Sequence, residues 1–380
     1  MHALVLPPGP ALSEAVRQAL TGDGPTVLPL SPDLPRPSLE ATLAALRPTH
    51  VVTADGVRRE PDGLPSDAAL IIATSGSTGA PKGVELTAEA LLASARASLA
   101  RLRAGEGDRW LCCLPPSHIS GAQVLVRSLL CGTEPIVHTR FSPAAVAASG
   151  ADHVSLVPTQ LRRMLDAGAD VAAFGTILLG GAAAPAGLLA EARAAGARIV
   201  TTYGMSETSG GCVYDGVPLD GVDVKIGGDG RVRISGPVLF SGYRLREERP
   251  FDGGWFVTSD LGSLEDGRLT VLGRADDVIN TGGRKVVAGV VAEVLSGHPA
   301  VRDVVVVGRP DPEWGEIVVA VVVPGDAGEV TLDRLRAFAK ERLPAYAAPR
   351  AVELVSRIPL LPNGKPDMVA LKNPEPKNRN

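Results

Sequence analysis

The sequence predicts an α/β protein whose first two-thirds contain parallel sheets, followed by a β-rich part and a small α+β domain. Up to about residue 212, short apolar segments such as 26–30 and 50–53 alternate with helical segments such as 38–46. This alternation predicts parallel strands covered by helices. From about residue 213, short strands of alternating polarity are joined by Gly and Asp turns, which is typical of hairpins or a small β-barrel.

The pattern changes once more after Gly273. Segments 301–308 and 316–323 are apolar strands, and 331–343 is an amphipathic helix with Thr331 as its N-cap. These changes predict the domains: a large N-terminal domain over 1–275, made of an α/β part (1–212) and a β-rich part (213–275), a small C-terminal domain over 276–372, and a disordered tail over 373–380.

The composition argues against several classes of protein. The net charge is −4 and no long basic run is present, so neither nucleic acid nor an anionic membrane is an expected partner. No apolar stretch is long enough for a transmembrane helix, and the N-terminus lacks the features of a secretory signal. The four cysteines show neither a C-x-x-C pair nor disulfide-dense spacing. We therefore expect a cytoplasmic protein. The sequence leaves its oligomeric state open, including a homodimer.

One loop carries the strongest chemical signal. Residues 74–83 read T-S-G-S-T-G-A-P-K-G, after the apolar run 68–73 and before the helical pattern 87–102, which predicts a strand, a loop and a helix. Glycines let the backbone approach a ligand, and Lys82 can place a charge on phosphate oxygens. This loop is not the common nucleotide-binding loop, which has Ser or Thr directly after its lysine, at the position where this sequence has Gly83. Hydroxyl donors in this predicted phosphate loop are Ser75, Ser77 and Thr78.

Other segments become informative beside this loop. In T-Y-G-M-S-E-T (202–208), Tyr203 can stack on a base and Glu207 is a hard oxygen ligand suited to Mg²⁺. Three more segments would each be taken, on their own, as a turn or a linker. They are L-G-G-A-A-A-P (179–185), T-S-D (258–260) with its carboxylate Asp260, and the segment 273–283. In L-P-N-G-K-P the Asn-Gly pair predicts a tight turn that presents Lys365.

Together these blocks, in this order, resemble the adenylate-forming superfamily of acyl-CoA synthetases, luciferases and adenylation domains. The resemblance implies the adenylate-forming enzyme fold, with a mobile C-terminal domain that turns about Asp276. It implies ATP, Mg²⁺ and the co-substrate CoA. It also implies roles for individual residues. The catalytic residues are Lys365, Lys82 and His118, and the metal-binding residues are Glu207 and Thr78. The nucleotide is bound by Thr74, Ser75, Ser77, Thr78, Gly79, Gly180, Gly181, Ala182, Tyr203, Gly204, Ser206, Thr208, Asp260 and Arg274. The chain departs from the family at its start, where only 73 residues precede the loop.

The stretch L-P-P-S-H-I-S-G-A-Q-V-L-V-R-S (114–128) narrows the substrate. It resembles the H-I-S-G-x-x-V-L-x-R-S block of the o-succinylbenzoate–CoA ligases of menaquinone synthesis, and 202–221 resembles their short actinobacterial members. The resemblance implies a dicarboxylate whose second carboxylate must be bound. Arg162 is a further cation, although surface solvation fits it better. The substrate-binding candidates are His118, Gln123, Arg127 and Ser209.

Other functions stay open at this point. An aryl- or fatty-acyl-CoA ligase of the same fold and an adenylation enzyme that loads a carrier protein share these motifs. A non-catalytic protein that binds ATP or acyl-AMP is a different class. The presence of Lys82, Glu207, Asp260, Arg274 and Lys365 argues against it.

Overall fold

A computed structural model describes residues 1–75, 81–325, 327–361 and 366–373. The chain forms two compact units. The first comprises Met1–Gly181, Ala192–Val224 and Ile234–Phe256, and the second Ala182–Glu191, Lys225–Arg233 and Val257–Asn380.

The helices alternate with strands in the first unit and are fewer in the second. In chain order they are α1 (Pro10–Thr21), α2 (Arg36–Leu46), α3 (Ala88–Leu102), α4 (Ile119–Leu130), α5 (Pro143–Ala147), α6 (Pro158–Asp166), α7 (Ala186–Ala194), α8 (Ala288–Ser296), α9 (Leu332–Lys340) and α10 (Met368–Lys372). Short 3-10 turns cover Ser206–Thr208, Ala275–Asp277 and Ala345–Ala347. None of the helices in the described ranges is both long and apolar enough to cross a membrane.

Two sheets with parallel centres form the first unit. The first sheet has the order β16-β6-β5-β2-β1-β3-β4, and its central strands β5, β2, β1 and β3 are parallel. The bounds are β1 (His2–Val5), β2 (Val27–Leu30), β3 (His50–Thr53), β4 (Gly56–Arg59), β5 (Leu70–Ser75), β6 (Pro81–Leu86) and β16 (Gly242–Tyr243).

The second sheet has the order β13-β12-β11-β10-β9-β7-β8, with parallel strands from β8 to β11. Its strands are β7 (Trp110–Cys112), β8 (Ile136–Val137), β9 (His153–Leu156), β10 (Thr176–Leu179), β11 (Ile199–Met205), β12 (Gly210–Tyr214) and β13 (Val217–Pro218). Helix α4 packs against α1, α3 and the strands β7, β9 and β12.

Two smaller sheets follow along the chain. The third has the order β14-β15-β18-β17, with β19 also paired to β18, and the fourth has the order β21-β20-β23-β22, with β24 parallel to β23. Their strands are β14 (Asp223–Ile226), β15 (Arg231–Ser235), β17 (Phe251–Asp252), β18 (Trp255–Glu265), β19 (Arg268–Arg274), β20 (Val278–Thr281), β21 (Arg284–Val287), β22 (Val301–Asp311), β23 (Gly315–Pro324) and β24 (Ala351–Leu354). Helices α8 and α9 and sheet four share one apolar core.

The predicted alternation of strands and helices is confirmed, the predicted N-cap at Thr331 forms, and Thr87, where a helical pattern was predicted to begin, also caps its helix. Thr87 begins α3 by accepting a hydrogen bond from the Ala90 N–H at 3.1 Å, and Thr331 begins α9 by accepting one from Arg334 N–H at 3.3 Å. The predicted passage from strand through phosphate loop to helix was wrong in one respect. An antiparallel strand, β6, lies between the loop and α3, so the loop joins the two strands of a hairpin.

A buried arginine fastens this hairpin to the rest of the first unit. Arg244 follows β16, is 4% exposed, and donates to the carbonyls of Leu46 and Leu64, both at 2.6 Å. It donates as well to Pro65 O and to the Glu85 carboxylate, each at 3.2 Å. These bonds tie the chain between α2 and β5 to strand β6.

Replacing Arg244 with methionine should lower the free energy of unfolding by about 3–5 kcal/mol, because the Glu85 carboxylate and several carbonyls lose a buried partner. Urea unfolding measures the change. Arg249→Met is the matched control, since Arg249 is exposed five residues further on. We expect the control to stay within about 0.5 kcal/mol of the parent. A loss below about 1 kcal/mol in Arg244→Met would contradict this role.

Candidate active site

The two ends of the predicted phosphate loop face each other across the β5–β6 hairpin. Thr74 pairs with Lys82 in the strand register, and the Thr74 hydroxyl lies 3.5 Å from the Lys82 carbonyl oxygen. The predicted residues Ser77, Thr78 and Gly79 lie outside the described residues, as does the side chain of Ser75. The structure thus places Lys82 at the point where the chain leaves the loop.

Lys82 and Glu207 lie on either side of a tyrosine. The Lys82 ammonium lies 4.3 Å from the ring centroid of Tyr243, and the Tyr243 hydroxyl donates to Glu207 Oε1 at 2.9 Å. Burial, followed by the charge of Glu207, raises the pKa of Tyr243, so the phenol stays protonated and remains a donor. Lys82 Nζ also lies 3.6 Å from a carboxylate oxygen of the exposed Glu248. The sequence offered no local signal for Tyr243, since its partners are distant along the chain.

A tight turn at the end of β11 presents Glu207. The Thr208 hydroxyl lies 2.7 Å from Gly210 O and accepts from Met205 N–H at 2.9 Å, so it holds the turn and is fully buried. The Glu207 carbonyl accepts from Phe240 N–H at 2.9 Å. Gly204 cannot carry a side chain, because a Cβ there would lie 2.0 Å from Gly210 O. Close backbone packing therefore fixes the turn that carries Glu207. Tyr203 pairs with Val213 on the neighbouring strand, and Ser206 begins the 3-10 turn.

The other turn predicted for the nucleotide lies at the end of β10. A Cβ on Gly180 would lie 2.3 Å from the Thr202 hydroxyl, and Gly181 adopts a left-handed conformation with φ of 84°. Only glycine fits these two positions without strain. Ala182, which follows them, belongs to the second unit and is exposed.

Helix α4 carries two of the substrate candidates and is buried along most of its length. His118 is its N-cap residue, and the His118 carbonyl accepts from the N–H groups of Gly121 and Ala122. Gln123 donates to the Ser209 carbonyl at 2.8 Å and to Leu91 O at 3.2 Å. Gln123 and Ser209 therefore hold the helix to the Glu207 turn. Ser209 is fully buried in a left-handed conformation.

Arg127, one turn beyond Gln123, is a buried cation. It is 4% exposed, its Nη2 donates to Ser155 Oγ at 3.0 Å, and its guanidinium lies 4.4 Å from the Trp110 ring. Among the residues that the structure describes, no carboxylate forms an ion pair with Arg127, and its Nε has no partner. Burial lowers its pKa from the ordinary value. An anion that reached this guanidinium would supply the missing charge. Arg162, in contrast, lies near the Asp166 carboxylate at 3.8 Å on α6.

The cysteines near this site do not provide a nucleophile. Burial raises the pKa of Cys112 and of Cys113 to about 12, so both are neutral thiols at neutral pH. Cys112 Sγ lies 3.4 Å from the Leu114 carbonyl. The site therefore works without a thiolate at these positions.

The second unit brings two further predicted residues together. Asp260 and Arg274 pair directly in the β18–β19 hairpin, and Asp260 N–H donates to the Thr258 hydroxyl at 3.1 Å. Arg274 lies 3.8 Å from Asp276, the predicted hinge, in a 3-10 turn. Lys365 lies outside the described residues.

The residues of the first unit fit a magnesium ion that is bound mainly through its nucleotide. No cluster of three or more His, Cys, Asp or Glu side chains suited to a metal occurs in the described ranges. Among the described carboxylates beside the phosphate hairpin, Glu85 is bonded to Arg244 and Glu248 lies next to Lys82, which leaves Glu207 as the candidate ligand. Mg²⁺ in nucleotide sites usually takes one or two carboxylates and completes its shell with phosphate oxygens and water, and one carboxylate matches that need.

Comparison with known proteins identifies the family. The model of the AMP-binding enzymes matches residues 48–244, and that of their C-terminal domain matches residues 290–365. A protein of Mycobacterium tuberculosis named probable 2-succinylbenzoate–CoA ligase is 43% identical, over 98% of this chain and 97% of its own.

Solved structures agree with this relation. The o-succinylbenzoate CoA synthetase (MenE) of Bacillus subtilis in complex with the acyl-adenylate intermediate OSB-AMP has a TM-score of 0.83 and 29% identity, covering 98% of this chain and 88% of that one. The same enzyme in complex with ATP and a magnesium ion has a TM-score of 0.80 and 29% identity, covering 96% and 87% of the two chains. The adenylate-forming fold predicted from the sequence is confirmed, and this chain belongs to the family of AMP-binding enzymes, as a relative of the 2-succinylbenzoate–CoA ligases.

Proposed function

We propose that this chain is an AMP-forming acid–CoA ligase that converts o-succinylbenzoate into o-succinylbenzoyl-CoA in menaquinone biosynthesis. Its co-substrates are ATP and CoA, and its other products are AMP and pyrophosphate. The choice of substrate rests on the buried guanidinium of Arg127. o-Succinylbenzoate has one carboxylate that reacts and one that needs only to be bound, whereas benzoate or a fatty acid has no second carboxylate. The relative from Mycobacterium tuberculosis supports the same choice.

The reaction needs two displacements and no covalent bond to the protein. In the first, a carboxylate oxygen attacks the α-phosphorus of ATP, the bond from that phosphorus to the bridging oxygen breaks, and pyrophosphate leaves. In the second, the CoA thiolate attacks the carbonyl carbon of acyl-AMP and AMP leaves. Positioning and charge stabilisation are sufficient for such phosphoryl chemistry, which agrees with the neutral thiols at Cys112 and Cys113.

The charged residues of the first unit have distinct tasks in this scheme. Lys82 places positive charge on the phosphate oxygens. Glu207 would hold magnesium, with Thr78 as a second ligand. When bound, the ion neutralises charge that develops on the phosphates. Thr74, Ser75, Ser77 and Gly79 bind the phosphates, and Tyr203 with the Gly180 turn binds adenine.

The second unit completes the scheme. Asp260 and Arg274, which face each other across one hairpin, bind the ribose. Lys365 neutralises charge at the α-phosphate during adenylation. We place the domain boundary at 275/276 and the hinge at Asp276, about which the small domain turns before CoA transfer. A cytoplasmic location is part of this proposal, because all four cysteines are free and buried.

A panel of carboxylates tests the function. With ATP and CoA, kcat/KM for o-succinylbenzoate should exceed the values for benzoate, cinnamate and octanoate by at least ~100-fold, because analogues without the second carboxylate leave buried polar groups unpaired. Pyrophosphate release and chromatography of the nucleotides give rate and product. ADP and orthophosphate as products would exclude an AMP-forming ligase. Similar rates across the panel would instead favour a generalist acyl-CoA ligase.

The role of Arg127 can be tested by charge removal. Arg127→Met should lower kcat/KM for o-succinylbenzoate by about 10²–10³, the loss expected when one member of a buried charge pair is removed. The slow reaction with benzoate should change much less, since benzoate leaves the guanidinium unpaired in either protein. Steady-state kinetics with both acids give the ratio. The control is Arg162→Met, which removes an arginine of helix α6 that lies 3.8 Å from the Asp166 carboxylate. An equal loss of kcat/KM with both acids would mean that Arg127 supports the fold and does not bind the second carboxylate of the substrate.

The role of Lys365 can be tested by separating the two steps. Lys365→Ala should slow acyl-AMP formation by roughly 10²–10³, the effect of losing one positive charge at a developing anion. Thioester formation from supplied acyl-AMP should be retained, because the small domain has turned by that step. Rapid-quench assays of each step make the measurement, with the exposed Lys340→Ala as control. Equal loss in both steps would contradict a role limited to adenylation.

A further inference from the structure

We infer that Tyr243 is a positioning residue of the active site, whose hydroxyl orients the Glu207 carboxylate toward magnesium and whose ring holds the Lys82 ammonium toward the phosphates. The inference rests on the proposed function, because it takes Glu207 as the metal ligand. It goes further by assigning two separate tasks to one side chain.

The first task follows from the hydrogen bond to Glu207. The Tyr243 hydroxyl donates to Oε1 at 2.9 Å, so one carboxylate oxygen is occupied and the other, Oε2, is left to face a cation. Partners that hydrogen-bond a metal ligand fix its orientation and raise metal affinity.

The second task follows from the face of the ring. Lys82 Nζ lies 4.3 Å from the ring centroid, within the range of a cation–π contact. Its ionic partner, Glu248, is 65% exposed and lies 3.6 Å away, so that pair is weak and screened by water. A triphosphate would displace Glu248, while the ring contact keeps the ammonium in place.

The surroundings make Tyr243 rigid enough for both tasks. Its strand β16 pairs with β6, Tyr243 opposite Val84, so the ring and Lys82 lie on adjoining strands. The Phe240 ring lies 4.9 Å from the Tyr243 ring, and the Phe240 N–H donates to the Glu207 carbonyl at 2.9 Å. Arg244, the next residue, is held by the buried hydrogen bonds described above. A residue whose neighbours are fixed on both sides loses little entropy when it orients a ligand group.

The two tasks predict different results for two substitutions. Tyr243→Phe keeps the ring and loses the hydroxyl, so the dissociation constant of Mn²⁺ should rise about tenfold or more. Electron paramagnetic resonance in the presence of α,β-methylene-ATP measures this constant. The affinity for the nucleotide without metal should stay near that of the parent. Tyr243→Leu should weaken metal binding similarly and should also weaken metal-free nucleotide binding, measured by calorimetry, since the ring contact with Lys82 is lost.

Two further variants make the experiment decisive. Ser241→Ala removes a hydroxyl of the same segment, one that donates to Glu85 O at 3.1 Å, and it should leave both affinities unchanged. Glu207→Gln tests the proposed metal ligand itself. If Glu207→Gln leaves Mn²⁺ binding unchanged, the metal assignment of the proposed function is wrong. If Glu207→Gln weakens Mn²⁺ binding and Tyr243→Phe does not, the metal assignment stands and the inference about Tyr243 is overturned. Equal nucleotide affinity in Tyr243→Leu and Tyr243→Phe would overturn the role of the ring.

Discussion

The positions of Lys82 and Tyr243, beside the predicted phosphate loop, depend on the buried guanidinium of Arg244. Strand β16 is two residues long and too short to be stable by its own pairing. Arg244 follows it directly and donates to backbone carbonyls on the chain between α2 and β5 as well as to Glu85 on β6. An arginine suits this place because its planar group presents five donors in fixed directions, which a lysine cannot match. The positions of Lys82 on β6 and Tyr243 on β16 are therefore set together by one side chain.

Helix α4 shows how two buried polar residues, four apart on one face, can have different consequences. The amide of Gln123 donates to the carbonyls of Ser209 and Leu91, so it joins the helix to the turn that carries Glu207. Arg127 has a hydroxyl and an aromatic ring as neighbours and, within the described ranges, no anion. A buried cation is costly unless paired. Gln123 is accounted for by the fold, whereas the buried charge of Arg127 is what the proposed binding of a second substrate carboxylate would neutralise.

The sequence predicted what local pattern determines. The helix cap at Thr331, the helical segment that begins at Thr87, the alternation of strands and helices, and the family were predicted correctly, because capping residues, periodicity and motif order depend on contiguous residues. Strand β6 was missed, because it begins Pro81-Lys82-Gly83, residues of low strand propensity, and its existence depends on pairing with β5.

Contacts between distant segments could not be predicted in the same way. Tyr243 and Arg244 act through partners far along the chain, and a single sequence has no pattern that reports such contacts. Asp260 and Arg274 were each predicted from motifs, yet that they pair across one hairpin emerged only from the register of β18 and β19. The candidate site was therefore predicted as a set of residue types, and its geometry required the structure.

The neutral phenol between Lys82 and Glu207 has a consequence for charge. Direct pairing of the two would let each neutralise the other, and neither would then attract phosphate or metal as strongly. Tyr243 separates them while stabilising both: its hydroxyl dipole satisfies the carboxylate, and its ring face attracts the ammonium. Glu248 provides Lys82 with a counter-charge that is exposed and hence weakly bound. In the proposed function a triphosphate would pair with Lys82 and magnesium with Glu207. Because Tyr243 already holds the two charged groups apart, they would be preorganised in the way that favours electrostatic catalysis.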